Sequence, residues 1–221
     1  MVAMKTSLFT TLLLGALSFI PTLASAATIT VVHGINGLDL GLPRALPVDI
    51  AVDGSCALSN VTFGASTRVE LPQGTYQVTV HPSTGDCSSA PVIDQEVSVP
   101  AGVKNVGLVA QIADSGTPQL KAFVNDSEAG WIVVNNASRG AKIFAGSGLR
   151  GWIFYYANPL ANGEGKAIAG FAKNRRLQVV LIRANQRRPF YKKMIKAGQT
   201  AVLYVVGSRK NGQLVVEERI G

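Results

Sequence analysis

The chain has 221 residues, a formal net charge of +8, and a composition that is 47% hydrophobic and 15% charged. That apolar content excludes a disordered polyelectrolyte. Two cysteines alone do not supply the four ligands of a closed zinc site, and past residue 26 no apolar run reaches the ~20 residues of a membrane-spanning helix.

The first element is an export signal. Lys5 precedes the apolar run SLFTTLLLGALSFI, followed by Pro21 and the small-residue stretch LASAA. A basic start, a short apolar core and an A-x-A site describe a secretory signal peptide. Residues 1–26 are read as that peptide, with Ala24-Ser25-Ala26 recognised and cleavage before Ala27. A retained anchor is the alternative. Export implies a periplasmic or secreted protein, with no transmembrane segment after cleavage.

Short runs rich in Val, Ile, Thr and aromatics then alternate with Gly, Pro, Asn and Asp clusters, the pattern of strands and turns. Strands are predicted at 28–33, 48–53, 58–63, 67–71, 75–81, 92–99, 104–112 and 118–123. A second set is predicted at 131–136, 141–145, 151–156, 166–171, 177–184, 190–196, 200–206 and 213–219. No long segment after residue 26 has helical periodicity, so the fold class is all-β, a sandwich or barrel.

The two sets of strands echo one another. YQVTVHPSTG followed by PVIDQEVSVPAGVKNVGLVAQIADSGTPQL matches LQVVLIRANQRRPFYKKMIKAGQTAVLYVVGSRKNGQL in order: strand, loop, strand, Ala-Gly turn, strand, then a turn ending in Gln-Leu. TITVVHGI and VDIAVDG likewise match WIVVNNAS and AKIFAGS. The chain therefore reads as two tandem β-sandwich modules, residues 27–125 and 126–221. The linker, 124–130, is short enough that the modules should touch. The Asn211-Gly212 pair suits a tight hairpin.

Cys56 and Cys87 both lie in the first module. An even count in an exported chain points to a disulfide. The second module has no cysteine, so the bridge is not a requirement of the fold.

VVHGI, LPVDIAVDG, FG, LPQGTYQVTV, VPAG and LVAQ, in that order, resemble the exported bacterial family known as domain of unknown function 4397, over about residues 29–125. The second module keeps the Ala-Gly turn but lacks the Pro-Val-Asp motif. The resemblance implies an immunoglobulin-like β-sandwich in an envelope or secreted protein. It brings no catalytic residues with it.

Motifs of catalysis are sparse. There is no H-E-x-x-H pair, G-x-S-x-G elbow or P-loop, and no cofactor is expected. His33 and His81 sit at strand ends, where a hydrogen-bonded structural role is the simpler reading. Asp49 and Asp53 share one strand face and are read as solvated edge carboxylates, with a calcium contribution as the alternative. Trp152, Phe154, Tyr155 and Tyr156 suggest buried core rings or a sugar-binding platform.

Charge is the functional signal. Residues 27–125 hold four basic and eight acidic side chains, a balance of −4; residues 126–221 hold sixteen and five, a balance of +11. Arg187, Arg188, Lys192, Lys193, Arg209 and Lys210 are the candidate anion-binding residues. With antiparallel neighbours, the loops at 185–189 and 208–212 fall at one end of the second module. There Arg187, Arg188, Arg209 and Lys210 would form a basic tip that concentrates anions. The expected partners are anionic polysaccharide or lipid head groups. A protein partner or self-association through the acidic first module is the alternative, as is a solvated surface without a ligand. Nucleic acid is not favoured for an exported chain lacking a nucleic-acid motif. The function read from the sequence is a non-catalytic, exported envelope protein that binds or scaffolds. A polysaccharide-active enzyme is the competing class.

Overall fold

The computed structural model describes residues 26–126, 130–147, 154–155, 159–168, 174–183 and 186–220. Residues 1–25 of the segment read as a signal peptide, together with Trp152 and Tyr156, lie outside them. Among the described residues, sixteen strands follow in chain order. The first half contains β1 (Ala26–His33), β2 (Val48–Val52), β3 (Ser55–Val61), β4 (Ser66–Pro72), β5 (Gly74–Pro82), β6 (Ile93–Val99), β7 (Asn105–Ile112) and β8 (Pro118–Val124). The second contains β9 (Ile132–Arg139), β10 (Ile143–Ser147), β11 (Phe154–Tyr155), β12 (Glu164–Ile168), β13 (Arg175–Arg183), β14 (Gln186–Ile195), β15 (Thr200–Ser208) and β16 (Gly212–Ile220). The sequence reading missed one element, a 3-10 turn at Gly37–Leu40 between β1 and β2.

The strands form two pairs of four-stranded sheets. Sheet I has the order β3-β2-β5-β6 and sheet II β4-β1-β7-β8; sheet III is β12-β9-β15-β16 and sheet IV β11-β10-β13-β14. Adding eight to each strand number of sheets I and II yields sheets IV and III. The parallel pairing of β1 with β7 recurs as β9 with β15. The internal repeat seen in the sequence is thus a repeat of topology.

The sheets stack in the order I–II–III–IV. Ile29, Val31, Leu108 and Leu120 of sheet II pack on Ile50, Val78, Val80 and Val97 of sheet I. Ile132, Val134, Leu203 and Val205 of sheet III pack on Ile143, Leu177, Val179 and Leu181 of sheet IV. A third core lies between the modules. It joins Val32, Val109 and Phe123 to Val133, Ala137, Val202, Tyr204, Val206 and Val216. Sheets II and III are therefore apolar on both faces. This explains why all nine residues of β15 are buried, and why TAVLYVVGS reads as a continuous apolar run. A strand covered on both sides has no polar face to alternate with.

A buried polar network crosses this middle layer. The Asn125 side chain donates to the Tyr204 hydroxyl at 2.7 Å and accepts from Asn135 at 2.9 Å. Thr30 donates to Glu218 at 2.6 Å, and Arg68 ion-pairs with the same carboxylate. Tyr204 is fully buried. Burial, with the Glu218 charge adding to it, drives its pKa far above the ordinary tyrosine value, so it remains neutral. Gly107 on β7 leaves room for its ring, because a Cβ there would stand 2.4 Å from the ring edge and hydroxyl.

Candidate functional site

In the first module, Cys56 and Cys87 are bonded, with Cα atoms 5.6 Å apart. Asp49 is not the solvated edge carboxylate that strand alternation suggested. It is fully buried. Its carboxylate accepts from the Asn60 amide (2.8 Å), Ser83 hydroxyl (2.6 Å), Thr84 amide (2.8 Å) and Gly85 amide (2.7 Å). Burial would raise its pKa, but those donors outweigh burial and hold the carboxyl well below its usual range. Asp53 instead accepts from the Gln77 amide at 2.8 Å. The two carboxylates are thus committed to different backbone segments. Disulfide and Asp49 together pin the long β5–β6 connection. Closing a 31-residue loop stabilises by about 3–4 kcal/mol in the chain-entropy model. Replacing both cysteines by serine is therefore expected to lower the unfolding free energy by that amount, read from urea titration; an unchanged midpoint would refute it. The modules share a buried face, so the loss should appear in a transition that both report.

Both histidines are held structurally. His33 is fully buried with Nε2 2.8 Å from the Leu46 carbonyl, and its Nδ1 has no partner among the described residues. His81 lies 2.6 Å from the Ser89 carbonyl and 2.7 Å from the Thr79 hydroxyl. No group of three or more potential metal-ligating side chains occurs among the described residues.

The basic residues divide into two sets. Arg187, Arg188, Lys192 and Lys193 belong to β14, the outer edge strand of sheet IV, rather than to a loop. Register sets Arg187 opposite Ile182 and Arg188 opposite Leu181, next to the β13–β14 turn. The side chains of these two arginines lie outside the described set. Lys192 pairs in register with Gln178, roughly 20 Å along the strand from Gln186 at ~3.3 Å per residue. Lys193 is ion-paired with Glu217. Lys192 and Lys193 therefore lie further along the strand than Arg187 and Arg188, which enter it beside its β13 partner's end. An edge strand carrying Lys, Arg and Pro189 also has a structural explanation, since those residues discourage edge-to-edge pairing.

The second set forms a site. β9 and β15 run parallel, with Arg139 opposite Ser208, so Arg139 and Arg209 leave adjacent strands at the same end. The Arg209 amide donates to the Arg139 carbonyl at 3.0 Å. Arg139, Gly140, Ser208, Arg209 and Lys210, with Asp39 of the first module, line an open cleft of about 530 Å³. Asp39 accepts from the Ser208 hydroxyl at 2.6 Å and from the Asn211 side chain at 2.5 Å. Asn211 is thus more than a turn residue. It belongs to a three-residue hairpin loop closed by the Ser208–Gly212 pair, and it locks that loop to the first module. Asp114 nearby accepts from the Gly140 amide at 2.9 Å. Both carboxylates are satisfied by neutral donors, and none of Arg139, Arg209 or Lys210 forms an ion pair among the described residues. The cleft has a net positive charge with its cations uncommitted.

Residues 27–138 match the model of a family described as a domain of unknown function, DUF4397. The chain belongs to the DUF4397 family. The match covers β1–β8 and continues into β9 as far as Ser138; the rest of the second half repeats the topology outside that match. No curated protein matches the chain. Among solved structures, that of a candidate cell adhesion protein from Bacteroides ovatus is similar over 88% of this chain and 96% of that one. The identity is 9% and the TM-score 0.26, values that carry no argument about this DUF4397 member.

Of the cleft residues, Arg209 and Lys210 were legible in the sequence as a basic pair. Arg139 and Asp39 were not. Arg139 is an isolated cation at a strand end, and Asp39 lies in the acidic half, 169 residues from Ser208. The missed signal was the repeat: parallel pairing of corresponding strands makes Arg139 a neighbour of Arg209.

Proposed function

We propose that this DUF4397 member is a non-catalytic, exported binding or scaffolding protein of the bacterial periplasm or cell surface. Its modules are of immunoglobulin-like type and take an anionic envelope component at the basic end of the second. The disulfide supports export, because such bonds persist in oxidising compartments. The parallel pairing of first and seventh strands in each module supports the immunoglobulin-like reading. One observation carries the ligand class: three cations, Arg139, Arg209 and Lys210, line one cleft against a single carboxylate, Asp39, which is hydrogen-bonded to Ser208 and Asn211 rather than ion-paired with them. Cations so placed attract phosphate, sulfate or carboxylate groups.

The test uses the exported chain and dextran sulfate as a soluble polyanion. Binding is expected at 0.1 M salt and should weaken steeply toward 1 M, as the Debye length shrinks from ~10 Å to ~3 Å. The triple variant Arg139→Ser, Arg209→Ser, Lys210→Ser should bind at least tenfold more weakly at 0.1 M while melting near the parent, because exposed charges contribute little to stability. Equal binding by variant and parent, or binding indifferent to salt, would sink the proposal.

A further inference from the structure

Six large apolar side chains are exposed among the described residues, and three of them fall within five positions: Leu38 (48%), Leu40 (37%) and Leu42 (45%). They surround Asp39, which lines the basic cleft. The segment is held in place. Asn36 caps the 3-10 turn by accepting from the Leu38 amide at 3.1 Å, and the Leu42 amide donates to the Gly37 carbonyl at 2.9 Å. Gly41 adopts φ +73 and has open space around it. The second module clamps the same loop from below: the Asn36 side chain donates to the Asn211 carbonyl at 3.0 Å, and Asp39 receives Ser208 and Asn211. A loop tied at both ends cannot fold its leucines inward, so they project at the end of the molecule where Arg139, Arg209 and Lys210 emerge. Arg44, two residues past Leu42, is exposed beside them with its guanidinium over the Phe63 ring.

The geometry points to a membrane-docking tip: Leu38, Leu40 and Leu42 enter the interfacial region of a bilayer while Arg44, Arg139, Arg209 and Lys210 meet phosphate head groups. Neither half of this patch suffices alone. Isolated cations only hold a protein in the diffuse layer near an anionic surface, and three leucines without charge bind weakly. Together they combine apolar burial with charge attraction, and the complementarity favours an anionic lipid surface as the occupant. The proposal rests on the anionic-ligand reading above and narrows it to lipid.

The experiment measures sedimentation of the exported chain with vesicles of phosphatidylcholine alone and of phosphatidylcholine with phosphatidylglycerol, at 0.1 M and 1 M salt. Dextran sulfate binding and the melting temperature are measured in parallel. Binding to the phosphatidylglycerol vesicles is expected. It should fall at least about tenfold both in Leu38→Ser, Leu40→Ser, Leu42→Ser and in the triple cation variant. The leucine variant should keep its melting temperature and its affinity for dextran sulfate. If it binds phosphatidylglycerol vesicles as well as the parent does, the leucines do not insert and the membrane tip is overturned, while the anionic reading stands. The membrane tip is also overturned if the parent binds dextran sulfate but no vesicle, or if the leucine substitutions weaken capture of a protein partner and leave vesicle binding intact. If the parent binds neither polyanion nor vesicle, both readings fall.

Discussion

Asp49→Ala is expected to lower the unfolding free energy by about 3–4 kcal/mol, because the buried carboxylate is the shared acceptor of three backbone amides and a hydroxyl. Removing it leaves the Asn60, Thr84 and Gly85 amides without their partner, and hydrogen bonds to a charged group are the strong ones. For a chain of this size the melting temperature should drop by about 10 °C. The pH dependence has a definite sign. Asp49 has a folded pKa below its unfolded value of 3.8, so its stabilisation is present above pH 3.8 and is lost as pH falls further, toward the folded pKa. Buried His33 acts earlier. Desolvation lowers its pKa, against the raising effect of its bond to Leu46, from an unfolded value of 6.5. The unfolded chain then binds more protons than the folded one below pH 6.5, and stability declines from there downward. The parent should lose stability in two stages on acidification. The Asp49→Ala variant should keep the first and show a flatter second. Parallel acid limbs for the two proteins would show that the carboxylate is not the staple inferred here.

Gly107→Val should be at least as damaging, about 3 kcal/mol or more, although it alters no site residue and adds only apolar atoms. The first added carbon would lie 2.4 Å from the Tyr204 ring and hydroxyl, well inside contact distance. Tyr204 has no free volume to move into, being fully buried among Val32, Val109 and Val202. Overpacking of this kind costs about 1–3 kcal/mol. Displacing the hydroxyl further strips Asn125 of its acceptor. A cycle separates this from a general intolerance of the strand. Gly107→Ala and Tyr204→Ala should be strongly non-additive, the second relieving the first, because they meet at one point. Additive losses would mean that the glycine is needed for another reason. Both modules should report the loss together, since the contact is between them.

The strands were legible because alternation and turn chemistry are local. Val, Ile and Thr at every second position with Gly, Pro or Asn between runs located all the strands of the first module within about three residues. The disulfide was legible because two cysteines in a chain read as exported have one economical fate. The hairpin at Lys210 was seen as a turn, yet its Asn211 was assigned to turn geometry when its side chain belongs to Asp39 of the other module. Arg187 and Arg188 were read as loop residues, whereas pairing of β14 with β13 makes them the second and third residues of an edge strand.

By itself, then, the amino-acid order determined the all-β class, the repeat, the bridge between Cys56 and Cys87, and the contrast between an acidic and a basic half. Each of these depends on residue type at short or repeated spacing. Only the tertiary structure decided that the modules join through a third apolar core, that Asp49 is buried, and that Asp39, Arg139 and Arg209 share a cleft. Those facts depend on which sheet faces cover each other, on which distant strands run parallel, and on a connection that folds over the outer face of sheet I. Asp49 alternates with the core residues Val48 and Ile50 and looks like an open-face carboxylate until Asn60 and the Ser83–Gly85 segment fold over it, a covering supplied by chain distant in sequence.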